Sequence, residues 1–219
     1  MSEEFLDIYD GQGRATGQVK SRKEVHRDGD WHKTFHCWII FRGEDGTDYV
    51  VLQQRAPTAS WPNKLDVAAA GHYLAGETIK DGLRELSEEL GITASYDDLV
   101  SLGTRVCVEE FQAGKINHEF QEVFFLIHDL PLNEYGLDPD EVSALVAVPV
   151  EEGLELFARH DTKLIVSGQQ ATKHDGVTTL SPFTREVTVD DFIPMLDNYN
   201  YKMFVLAKRA LAGEKHLLI

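Results

Sequence analysis

Apolar residues along this chain come mostly in short bursts suited to strands, with one burst at helical spacing. Residues 4–9, followed by Gly11, Gly13 and Gly17, read as short strands around turns, a hairpin ahead of the core. Residues 32–41 and 48–54 are rich in β-branched and aromatic side chains and flank the turn cluster Gly43-Glu44-Asp45-Gly46, which predicts a second hairpin. A short apolar run, 65–70, ends at Gly71. After it, Thr78-Ile79-Lys80-Asp81 has the form of a capping box, Leu83, Leu86 and Leu90 recur at helical spacing, and Gly91 stands where a left-handed cap belongs. Together they predict a helix over 79–90.

Further on, 103–110, 119–128 and 144–150 read as strands, the second bounded by Asp129-Leu130-Pro131, so a mixed sheet is expected. Helices are expected over 151–159 and 195–211. The polar, glycine-containing stretch 168–182 lacks periodicity and reads as a long loop. No repeat or linker composition marks a boundary, so the expectation is one domain over 1–219, with a core at about 30–160, the hairpin within 1–29 and an extension at 161–219.

Composition narrows the partners. With 37 acidic against 21 basic side chains, the formal charge of −16 repels a polyanion, which argues against nucleic acid as a bulk partner. A small phosphorylated substrate remains compatible, because cations held by some of those carboxylates can receive a phosphate. Cys37 and Cys107 form no disulfide framework and read as buried thiols in a reducing compartment. No apolar run approaches the roughly 18 residues of a membrane span, and residues 1–10 are acidic, so a cytoplasmic protein is expected. Assembly is left open, a homodimer included.

The chemistry concentrates on the helix. Glu85, Glu88 and Glu89 stand at i, i+3 and i+4, so their carboxylates share a face. Such pairs repel by about 0.2–0.5 kcal/mol each when solvated, and by more when water is excluded. Arg84, one position away and so about 100° round the helix, is not expected to neutralise all three. Clustered hard oxygen donors without paired Cys suit Mg2+ or Mn2+; a merely solvated acidic face is the alternative.

Gly71, five residues, Glu77, six residues, then Arg84-Glu85-Leu86-Ser87-Glu88-Glu89-Leu90-Gly91-Ile92 closely resembles the Nudix box, with nine specified positions filled. One residue is missing between Glu77 and Arg84, which should shorten the loop or the first helical turn and leave the register from Arg84 to Ile92 intact. The resemblance implies an α/β fold, an α/β/α sandwich with a mixed central sheet and a loop-helix-loop catalytic motif. It implies hydrolysis of a phosphoanhydride bond in a nucleoside diphosphate derivative or other organic diphosphate, with Mg2+ or Mn2+. By that likeness Glu85 and Glu89 are the principal metal ligands, Glu88 a further ligand or the base for water, and Arg84 the partner that holds Glu77. Gly71 lets backbone approach the metal.

A longer layout, Asp7, Gly17, His26, Trp31, His32, His36, Gln53-Gln54-Arg55, Trp61-Pro62 and Ala70-Gly71-His72, resembles the branch containing isopentenyl-diphosphate isomerase and its hydrolase-like relatives. The alternative function it implies is isomerisation of an allylic diphosphate. Ala70 stands where that enzyme has its proton-transferring cysteine, and a methyl group exchanges no proton, which disfavours it. In the same likeness His26, His32 and His72 correspond to metal-binding histidines, and Glu122 to the carboxylate of a later strand. Read without it, His32 and His36 are core or loop histidines with satisfied hydrogen bonds, and His72 is open to either role, with substrate contact one of them. Arg55 is a candidate for bidentate phosphate binding or for a salt bridge. Trp61 and Phe111 read as core fillers in preference to base-stacking residues.

Overall fold

The computed structural model describes residues 3–111, 114–159 and 161–219, with only the backbone described at Phe111, so the expectation for that side chain lies outside the described residues. In chain order the elements are β1 (Phe5–Tyr9), β2 (Ala15–Ser21), α1 (Arg22–Asp28), β3 (Trp31–Arg42), β4 (Asp48–Arg55), β5 (Leu65–Val67), β6 (Ala69–His72) and α2 (Arg84–Leu90). They continue with β7 (Leu99–Phe111), β8 (Lys115–Ile127), β9 (Val142–Pro149), α3 (Val150–Ala158), β10 (Leu164–His174), β11 (Val177–Val187) and α4 (Tyr199–Leu211).

The strands join one sheet along the path β11-β10-β9-β4-β3-β1-β2, with β7 and β8 attached beside β3. Its ladders are antiparallel except β3 with β8, which run parallel, so the sheet is mixed as expected. Alternation along β3 splits the core in two. Trp38 and Ile40 join Val123, Phe125, Phe204 and Leu156 on the side covered by α3 and α4, while Phe35, Cys37 and Ile39 join Phe124, Leu86 and Leu90 on the α2 side. Helices on both faces make the layered α/β fold.

One departure from simple pairing creates the site. β3 and β4 pair only from Ile39–Arg42 to Asp48–Val51; beyond that, β3 turns to β6 and β4 turns to β5. The sheet forks, and α2 lies across the fork.

The helix expected over 79–90 begins later. A 3-10 turn, Asp81–Leu83, precedes α2, and Gly82 is pressed so closely on Phe35 that a Cβ there would meet its ring at 2.7 Å. Thr78 and Asp81 close the turn through the Thr78 N–H and hydroxyl, both donating to Asp81 Oδ2 at 2.7 Å. The shortened motif is accommodated in that turn. Gly91 ends the helix at φ 66°.

The expected loop over 168–182 is instead the β10–β11 hairpin, paired from Leu164–Val187 to His174–Val177. Its turn is Asp175-Gly176, both at positive φ (50° and 79°), the combination that suits a two-residue hairpin turn. Helix α4 starts at Tyr199, four residues later than expected, after Asn198 at φ 58°. Helix α1 has no counterpart among the expected elements. No helix among the described residues is long and apolar enough to cross a membrane.

Candidate active site

At the fork, α2 turns Glu85 and Glu89 inward, 6% and 5% exposed, while Leu86 and Leu90 bury themselves in the core beside them. Glu89 accepts hydrogen bonds from Gln53 Nε2 on β4 and from the Ala70 N–H on β6, both at 3.3 Å, and so bridges the two sides of the opening. Glu85 lies against Gly71, where an added Cβ would collide with its carboxylate. The space Gly71 leaves is occupied by Glu85.

Arg84 reaches more partners than its position on the helix suggests, because its side chain is long. It donates to Glu77 Oε1 at 3.0 Å and to the His72 carbonyl at 2.7 Å, and lies 2.7 Å from Glu85 and 3.1 Å from Glu88. Glu77 in turn accepts from the Leu74 N–H at 2.7 Å, which ties the loop to the helix. Glu88, unlike its neighbours, is turned to solvent with a side chain 59% exposed.

Burial pushes the Glu85 carboxyl up to about 7, although Arg84 beside it pulls the other way and Glu88 and Glu141 push with it. One guanidinium shared among three carboxylates does not offset the lost hydration. Glu89 is raised well above its ordinary value by burial and then by Glu85 and Glu141. Two buried carboxylates set side by side, each short of positive charge, form a hard-oxygen donor set that fits a divalent cation.

The raised Glu85 acidity has a consequence for stability. A carboxyl raised on folding favours the native state most below its unfolded value, and that contribution is lost as pH climbs through about 7. In EDTA, Glu85→Gln should therefore match wild type near pH 4.5 and exceed it near pH 8, by up to about 3 kcal/mol. Denaturant melts at the two pH values measure this; a variant less stable than wild type at pH 8 would refute it.

A second cluster lies close by. His26 from α1, His32 from β3 and His72 from β6 bring ring nitrogens within 4.8 Å of one another. His26 Nδ1, His32 Nε2 and His72 Nε2 are buried without a hydrogen-bond partner, although His32 Nδ1 is occupied by the Asp30 carbonyl at 3.0 Å. The expectation of a satisfied core histidine therefore fails for His32. It suits His36 better, whose Nδ1 lies 3.4 Å from the Tyr199 hydroxyl. Burial and the His32 ring hold His26 down to about 4, and burial with Arg22 holds His72 well below its usual value, so both rings keep lone pairs at neutral pH.

The carboxylate at this cluster is Glu119, with Oε1 3.6 Å from His32 Nε2. Burial would raise it, but His32, His72 and the Gln121 hydrogen bond outweigh burial and hold it below the usual range. Sequence reasoning misses Glu119, which stands directly opposite His32 in the β3–β8 register. Glu122, expected among the metal ligands, points to the other face, 3.3 Å from Lys33 Nζ and accepting from the Thr104 hydroxyl at 2.9 Å.

The two candidates for substrate contact take the following places. His72 turns its imidazole into the histidine cluster. Arg55 is bound inside the protein, its Nε to the Ser60 carbonyl at 2.7 Å and its Nη1 to Asp66 at 2.9 Å. Trp61 is half-buried in the same loop at φ 56°. Ala70 offers the site a backbone N–H and a methyl group, with no ionisable atom where the isomerase likeness places a cysteine.

Comparison with known proteins shows the family. The NUDIX domain model matches residues 30–166, a stretch containing the fork and all of α2. An uncharacterized Nudix hydrolase of Clostridium acetobutylicum is 38% identical over 216 residues, covering 98% of this chain and 100% of its own length. Nudix hydrolase 3 of Arabidopsis thaliana is 38% identical over 168 residues, 74% of this chain and 21% of that protein, so the chain spans about a fifth of that relative. Among solved structures, a Nudix hydrolase from M. smegmatis, RenU, superposes with a TM-score of 0.43 at 14% identity, covering 69% of this chain and 82% of its own. With a domain model covering more than half its length and a relative matched from end to end, the chain belongs to the Nudix hydrolase family.

Proposed function

We propose that this pyrophosphohydrolase cleaves the phosphoanhydride bond of a nucleoside diphosphate derivative or other organic diphosphate, with Mg2+ or Mn2+ at Glu85 and Glu89. The observation that carries the reading is the buried carboxylate pair at the fork, fitted against a glycine that leaves room for it. A hard cation bound there neutralises phosphate charge and lowers the proton affinity of water.

The protein's own groups divide the remaining work. Gln53 and the Ala70 N–H fix the Glu89 carboxylate so that it need not reorganise as charge develops. Glu88, at the solvent edge of the same helix, serves in this reading as a further ligand or as the base that takes a proton from the attacking water. Arg84 locks Glu77 and the loop at His72 to the helix, which keeps Gly71 against Glu85. Residues 1–219 act as one unit in this reading, since α1 supplies a histidine to the cluster and α4 packs Met203, Phe204 and Ala207 into the core with Trp38 and Leu52.

That cluster supports a second cation centre. Three unpaired imidazole nitrogens and one carboxylate oxygen suit a borderline ion such as Zn2+ better than Mg2+. Free thiols at Cys37 and Cys107 agree with a cytoplasmic setting.

The test is a panel of nucleoside diphosphate sugars, dinucleotides and prenyl diphosphates incubated with Mg2+ or Mn2+, with products resolved by phosphorus NMR. Monophosphates or inorganic phosphate should appear from at least one class and only with metal. Absence of metal-dependent cleavage across the panel would remove the proposal.

A further inference from the structure

The segment leading into α4 lies outside residues 30–166, yet it reaches the histidine cluster through a chain of polar side chains. Arg105 donates to Asp197 twice, Nε to Oδ2 at 2.9 Å and Nη2 to Oδ1 at 2.8 Å. Arg105 Nη1 donates to Gln121 Oε1, and Gln121 Nε2 donates to Glu119 Oε2 at 2.7 Å. The amide has one workable orientation, because a guanidinium offers only donors and a carboxylate only acceptors. The Thr34 hydroxyl also approaches Glu119 Oε2, at 3.5 Å, and Oε1 is left facing His32.

Arg105, Gln121 and Glu119 are 7%, 3% and 6% exposed, so little water can replace a lost link. Tyr199, at the start of α4, lies under the guanidinium with Arg105 Cζ 4.1 Å from its ring centre. Its hydroxyl accepts from Trp38 Nε1 at 2.9 Å. Arg105 is thus held from two sides by the same C-terminal segment.

We propose that Asp197 is a positioning residue for the three-histidine centre, acting through Arg105 and Gln121 to hold Glu119 with Oε1 turned toward the imidazoles. The C-terminal segment is then part of the site. This rests on the reading of the cluster as a cation centre. A pair that merely anchored α4 would leave the cation's surroundings unchanged when broken, and that difference is measurable.

The probe is Co2+ added to the full chain, followed by visible absorption and calorimetric titration, with His32→Ala defining which signal belongs to the cluster. Asp197→Ala should weaken the His32-dependent binding by about tenfold or more and shift its band. Its melting temperature in EDTA should fall, since the buried Arg105 keeps its charge and loses its carboxylate partner, so affinity and band are read well below the melting range. Asp197→Glu should restore both affinity and band. Gln121→Met, which breaks the chain in the interior, should show the same loss. Wild-type affinity and spectrum in Asp197→Ala or in Gln121→Met would overturn the proposal while leaving the cation centre standing. Absence of any His32-dependent Co2+ signal in wild type would remove the centre, and the proposal with it.

Discussion

Glu89→Gln is expected to lower kcat by about 100-fold or more, with the fold intact. Glu89 faces two donors, the Gln53 amide and the Ala70 N–H. Both donate to the same oxygen, Oε2, so a glutamine keeps both hydrogen bonds with its amide oxygen there and sets its N–H2, a donor, where Oε1 offered a cation a lone pair. The substitution also removes the negative charge that would grip a cation. Stability in EDTA should move the other way: burial and the neighbouring Glu85 already disfavour the charged form of Glu89, so a neutral side chain relieves the metal-free protein near pH 8. Lost turnover, lost stabilisation by Mn2+ and an undiminished metal-free melting temperature together form a signature that ordinary misfolding does not produce. A variant that keeps most of its turnover would remove Glu89 from the chemistry.

The part of the site that lies on one helix is legible in the sequence itself. Leu86 and Leu90 at helical spacing face the core, which forces Glu85 and Glu89 toward the sheet, and Gly91 ends the helix where its lack of a side chain allows. The β10–β11 hairpin is hidden for a physical reason. The end of β10, from Thr172, and most of β11 are solvent-exposed, so selection of apolar residues on one face is weak there and the stretch reads as polar; its one signal is the Asp175-Gly176 pair. Helix α1 escapes notice although Ser21 and Glu24 form a capping box and Gly29 closes it. With seven residues and only Val25 buried, it shows no periodicity to find.

The histidine cluster is readable in the sequence only as separate residues. His26, His32, His72 and Glu119 come from a helix and three strands, and what unites them is register, the parallel pairing that sets His32 against Glu119 and the antiparallel pairing that sets Thr34 against His72. Sequence spacing carries no trace of such pairings. The same alternation explains the exchange of Glu122 for Glu119, since an odd shift along a strand moves a side chain to the opposite face.

Gly71→Ala is expected to cost activity on the scale of Glu89→Gln, by a different route. Gly71 does not adopt a left-handed backbone, so alanine brings no strain of its own, and the whole effect comes from one methyl group placed where Glu85 puts its carboxylate. Glu85 has little room to yield, being buried and 2.7 Å from Arg84, so the carboxylate pair must open and its grip on a cation weaken. Combining the change with Glu85→Gln tests the route. If the methyl acts through Glu85, the second substitution adds little to the loss caused by the first, and the two effects on kcat/KM are strongly non-additive. Losses that multiply in the double variant would mean that Gly71 serves something other than clearance for Glu85, such as direct approach of the backbone to the substrate.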